Sequence, residues 1–85
     1  MVVKPLSEDE IEKIKEITPN IIGEKIRFLR KSKGLTQTEL AEFVLKDRQY
    51  LYKIEKGLVT PNISTIAILA KAMKIPVKKI FEDLD

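Results

Sequence analysis

Apolar residues recur along the chain at spacings of three and four, which places them on one face of a helix, in six successive stretches. Residues 7–17 put Ile11, Ile14 and Ile17 on one edge, and Ser7 with Glu10 three positions later forms a capping box at the start. Pro19 is expected to end this helix, because its ring has no N–H to give the ladder. Residues 21–33 bury Ile22, Ile26 and Leu29 and stop at Gly34. Residues 36–44 begin on a second capping box, Thr36 with Glu39, and bury Leu40, Ala41 and Val44. Residues 47–56 begin on Asp47, bury Leu51 and Ile54, and stop at Gly57. Residues 63–73 bury Ile63, Ile66, Leu69, Ala70 and Met73, and a last turn over 77–81 closes the core with Val77, Ile80 and Phe81. No segment alternates with the period of a strand, and repeats and low-complexity runs are absent, so the pattern predicts an all-α fold.

The stretch 47–56 carries more than a core stripe. Arg48, Gln49, Tyr52 and Lys53 fall between its buried positions and share one outward face, whereas Tyr50 sits near the Leu51–Ile54 stripe and is expected to be partly buried. A short helix that is apolar toward its own domain and rich in hydrogen-bonding groups on the other side is built to read base edges in a major groove.

The segment Gly34-Leu35-Thr36-Gln37-Thr38-Glu39-Leu40-Ala41, followed by Ile54-Glu55-Lys56-Gly57 and Pro61, resembles the phage-repressor (Cro/cI-like, XRE-type) helix-turn-helix family. The resemblance runs from about residue 22 to about residue 81 and implies a five-helix lambda-repressor-like DNA-binding bundle. The amino-terminal helix lies outside it, which divides the chain into an extension over 1–20 and a helix-turn-helix domain over 21–85. By the same resemblance Arg48, Gln49, Tyr52 and Lys53 are base contacts. Arginine pairs bidentately with guanine and glutamine with adenine, each worth about 1–3 kcal/mol against a wrong base. Gln37 is implied to contact the DNA backbone and to brace the recognition helix; its place at a helix start suits a phosphate. Lys56, Gly57 and Thr60, where the chain leaves the recognition helix, offer a cation and open backbone amides to a phosphate strand. Arg30 and Glu55 are implied to form a partly buried ion pair that serves structure, not DNA.

Three features depart from that family. Leu45 and Lys46 stand where the inter-helix turn usually has glycine and a small apolar residue, and Lys74 replaces a glycine before the final helix. A leucine in the left-handed region costs about 1–2 kcal/mol. Phe28, Phe43 and Ile68 occupy helix positions that are usually polar. The amino-terminal helix is therefore expected to fold back over one of these, Phe28 being the candidate, with a dimer interface as the sharper alternative.

Composition narrows the function classes. Eighty-five residues make one small domain, and the chain has neither cysteine nor histidine. It thus lacks disulfides, the commonest metal ligands and the usual general base, so no enzyme activity, metal or cofactor is expected. Neither a signal peptide nor a membrane span is evident, and a cytoplasmic location is expected. The net charge of +3 is uneven: residues 1–20 carry −2 and residues 21–85 carry +5, so the basic excess belongs to the helix-turn-helix region, as phosphate binding requires. The reading is a sequence-specific, double-stranded DNA-binding transcription regulator, a repressor that binds an inverted repeat as a homodimer. Two alternatives use the same fold. One is an interaction module, an antitoxin or bridging coactivator that holds a protein partner through the amino-terminal helix; the other is a restriction–modification controller.

Overall fold

The computed structural model describes residues 3–82, and among them five α-helices and no strand. The helices are α1 (Glu8–Ser32), α2 (Gln37–Phe43), α3 (Arg48–Glu55), α4 (Ile63–Ala72) and α5 (Lys78–Phe81). The all-α architecture matches the periodicity of the sequence, but the helix count does not. The stretches 7–17 and 21–33 are one continuous helix with Pro19 inside it. Pro19 removes one ladder bond, a cost of about 3 kcal/mol in a helix interior. Both flanks are good helix, however, and the proline ring is itself buried. Neither Pro19 nor the following Asn20 has positive φ, so the chain runs on through them without a turn. The amino-terminal helix therefore does not fold back. Ile11, Ile14 and Ile17 remain exposed, and Phe28 is 66% exposed.

The core forms where α1, α2, α3, α4 and α5 meet. Ile22, Ile26, Leu40, Ala41, Leu51, Ile54, Ile66, Leu69, Ala70, Met73 and Ile80 are buried there. Ile63 and Val77 are corrections to the expected core. Ile63 opens α4 immediately after its Asn62 cap and is 75% exposed; Val77, just before α5, is 38% exposed. Periodicity assigns a face to a residue but does not say where that face outruns its neighbours.

Four helices end in the same way. The residue after each cap has positive φ, its N–H bonds to the carbonyl three residues back, and the next N–H reaches five back: Gly34 and Leu35, Leu45 and Lys46, Gly57 and Leu58, Lys74 and Ile75. This is the Schellman arrangement. Leu45 (φ 60°) and Lys74 (φ 58°) thus adopt the left-handed conformation that glycine supplies at the other two ends. The turn between α2 and α3 keeps its ordinary geometry at the cost of local strain. Gly23 answers a different need, since a Cβ there would run into the carbonyl oxygens of Ile54 and Glu55. It lets α1 and the end of α3 cross at backbone contact.

Candidate nucleic-acid interface

α2 and α3 are short, and their ends are fixed locally. Thr36 Oγ1 accepts from the Glu39 N–H at 3.0 Å while Glu39 Oε1 accepts from the Thr36 N–H at 2.9 Å, and Asp47 caps α3 through the Tyr50 N–H at 2.9 Å. The hydrogen bonds from Thr36, first its backbone and then its hydroxyl, hold the Glu39 carboxyl below its ordinary value. Leu51 and Ile54 pin one side of α3 to the core. The opposite side is thereby turned outward.

A connected set of polar contacts ties that side to α1. Arg30 Nε donates to Glu55 Oε2 at 2.6 Å and Arg30 Nη2 to Glu55 Oε1 at 3.0 Å, a bidentate pair. Arg30 Nη1 donates to the Leu35 carbonyl at 2.7 Å. Both residues are buried, and no buried side-chain polar atom among the described residues lacks a partner. Glu55 Oε1 also accepts from Gln37 Nε2 at 3.0 Å, and Gln37 Oε1 accepts from Arg48 Nη1 at 3.0 Å. The amide of Gln37 is thus a bridge from the buried pair to the first residue of α3. With the Tyr52 ring it fixes the guanidinium of Arg48.

Cations gather around one ring. The Arg48 guanidinium lies 5.8 Å and the Lys56 ammonium 5.9 Å from the centre of the Tyr52 ring, both within cation–π range. Lys46 packs over Tyr50 at 5.2 Å, so the lysine in the turn rests on an aromatic while its ammonium stays at the surface. Arg48, Tyr52, Lys56 and Gln37 line one shallow groove, to which α1 adds Arg27 and Lys31. Gln49 and Lys53, one turn apart on α3, form the adjoining exposed edge.

Not every expected residue joins this group. Gly57 is half-buried, with Asn20 packed against its α-carbon. Thr60 is exposed and lines a separate hollow with Ile14, Thr18 and Pro19. Arg27 and Lys31 went unremarked in the sequence. Their signal is spacing: they stand four apart on α1, flanking the buried Arg30, which places them on the rim next to α2.

Two helices joined by a tight turn, the second packed by one side and armed on the other, define a helix-turn-helix protein. The chain belongs to the helix-turn-helix family, which it matches over residues 26–80. It is 39% identical over 59 residues to the immunity repressor protein of Bacillus phage phi105, an alignment that takes in 69% of this chain and 41% of that one. Among solved structures it resembles the restriction–modification controller protein C.AhdI of Aeromonas hydrophila. That likeness has a TM-score of 0.72 and 33% identity and covers 75% of this chain and 97% of the other. The clp gene regulator ClgR of C. glutamicum gives a TM-score of 0.73 at 25% identity, over 95% of this chain and 91% of that one. The chain spans between 41% and 58% of the length of the phage repressor and of two Rickettsia regulators that it also matches.

Proposed function

We propose that this chain reads double-stranded DNA in a sequence-specific way as a transcription regulator, with α3 in the major groove. Membership of the helix-turn-helix family makes it a DNA-binding regulator domain; the contacts of individual residues are the finer assignments. The observation that carries them is the relay from Arg30 through Glu55 and Gln37 to Arg48, which presents a preset guanidinium at the start of an otherwise outward-facing helix. Preset donors lose less freedom on binding than mobile ones. Arg48, Gln49, Tyr52 and Lys53 are the base-contacting residues. Gln37 and Lys56 take phosphates, and Arg27 and Lys31 extend that basic rim; Gly57, whose N–H is spent on the Ile54 carbonyl, and Thr60, in its separate hollow, are not assigned to phosphates. Repression by occupancy, as a homodimer on an inverted repeat in the cytoplasm, is the mode this supports: one short helix reads few base pairs, and two half-sites about 34 Å apart supply the rest.

Selection from a randomised duplex pool at near-physiological salt, followed by sequencing, tests the reading. An enriched inverted repeat is expected. On the recovered site, R48A or Q49A is expected to lose about 5- to 150-fold in affinity, corresponding to about 1–3 kcal/mol per base contact. K56A is expected to weaken all sequences alike and to flatten the salt dependence. Failure to enrich any sequence would refute the reading and favour a protein-binding module. A second reading, a restriction–modification controller, is favoured by the near-complete cover of the Aeromonas controller by this chain. A recovered site lying upstream of paired methyltransferase and nuclease genes would select it.

A further inference from the structure

α1 carries two stripes at helical spacing, one buried in the core and one, largely apolar, that the domain covers only in part. Pro19, Ile22, Gly23, Ile26 and Arg30 face the core. A second line runs through Ile11, Ile14, Thr18, Ile21, Lys25 and Phe28, at alternating spacings of three and four. Ile11, Ile14 and Phe28 are exposed, while Thr18, Ile21 and Lys25 are half-buried. Three successive heptads on one unbroken helix are the signature of a seam that pairs with another helix. The stripe cannot close on itself, because Ile14 and Phe28 lie about 21 Å apart along a straight helix at 1.5 Å per residue.

The charge on the helix says what fits. Residues 8–20 hold five acids against two lysines, a net −3, and residues 21–32, with Arg30 set aside as the buried partner of Glu55, hold Lys25, Arg27 and Lys31 against Glu24, a net +2. A second copy of α1 in antiparallel orientation lays each acidic half on a basic half; the parallel arrangement would stack like on like. Antiparallel pairing also brings the facing seam positions into one consistent register. Ile11 meets Phe28 of the second copy, Ile14 meets the stem of its Lys25, and Thr18 meets its Ile21, with the two-fold axis passing near the Pro19–Asn20 peptide. The shallow hollow lined by Ile21, Glu24, Lys25, Phe28 and Glu82 receives the isoleucines of the incoming arm.

We infer that the projecting amino-terminal half of α1 is a dimerisation arm, and that two copies of this chain pair through an antiparallel α1–α1 seam in which each arm covers the Ile21–Phe28 face of the other. The inference rests on the homodimer of the preceding reading for its role, but its geometry stands on the helix alone.

The chain has no cysteine, so engineered thiols report the register without interference. Under mild oxidation I11C/F28C is expected to crosslink into a covalent dimer in high yield, while I14C alone remains monomeric on a non-reducing gel. Sedimentation equilibrium is expected to give a dimer for the unaltered chain and a monomer for I14E and for F28E. Helical content of the monomers should stay native-like, because both side chains lie outside the core, while their melting should lose the concentration dependence of a dimer. A monomeric unaltered chain, a crosslink in I14C but not in I11C/F28C, or a dimer that survives I14E and dissolves in I68E would each overturn the inference. DNA binding separates this outcome from the function. R48A is expected to stay dimeric while losing its site, and I14E to keep affinity for a single half-site.

Discussion

Removing the carboxylate of Glu55 is the most direct test of how this small domain is held together. Glu55→Ala leaves the Arg30 guanidinium in place with two of its donors unanswered, at a side chain only 7% exposed. It also strips Gln37 of its acceptor. Breaking one partner of a buried pair costs about 3–5 kcal/mol, because an uncompensated charge remains where water cannot reach it. A domain of this size holds about 5–15 kcal/mol in total, and each lost kcal/mol lowers its melting temperature by about 4–8 °C. Urea and thermal unfolding followed by circular dichroism are therefore expected to show a midpoint lower by about 12–40 °C. Replacing both partners by apolar residues of similar bulk, R30M/E55L, is expected to return most of that loss. The double variant should nevertheless bind DNA less well than the native chain, since Gln37 no longer has an anchor from which to hold Arg48. A loss below about 1 kcal/mol in E55A would refute the argument: it would mean that Arg30 swings out to solvent and that the pair is a surface contact.

Other perturbations follow from the same geometry. Leu45→Gly relieves a left-handed leucine but adds freedom to the unfolded chain, so a net gain of about 0.5–1 kcal/mol is expected in urea unfolding; a loss would show that Leu45 packs against something. Gly23→Ala inserts a methyl into the carbonyls at the end of α3, and a destabilisation of about 1–3 kcal/mol is expected where an exposed helical glycine would gain about 1. The capped Glu39 titrates below its ordinary 4.5, so its contribution is complete above that value and disappears as pH falls through the lower, folded one. Melting of the native chain should accordingly fall more steeply than that of E39Q below pH 4.5, and parallel curves would remove the capping box from the account.

Most of the fold was legible because the signals that build it are local. Capping boxes at Ser7 and Thr36, the Asp47 cap and the glycines at 34 and 57 mark helix ends within a turn, and the structure contains each of them. Pro19 misled for the converse reason. A proline forbids one hydrogen bond, but whether a helix stops depends on tertiary packing as well, and here Pro19 is buried while Asn20 packs on Gly57, which holds both in the helix. The outward face of α3 could be read from period alone, since Leu51 and Ile54 leave no other side for Arg48, Tyr52 and Lys53. What period could not supply is the link between elements. That Gln37 spans from Glu55 to Arg48 depends on how α2 sits against the end of α3, and so does the gathering of Arg27 and Lys31 beside them. The two limits meet in α1. Reading its amino-terminal half as a separate element hid the heptad, because the stripe from Ile11 to Phe28 exists only if the helix is continuous. Once it is, the exposed Ile11 and Ile14 and the exposed Phe28 cease to be unrelated anomalies and become the two halves of one surface.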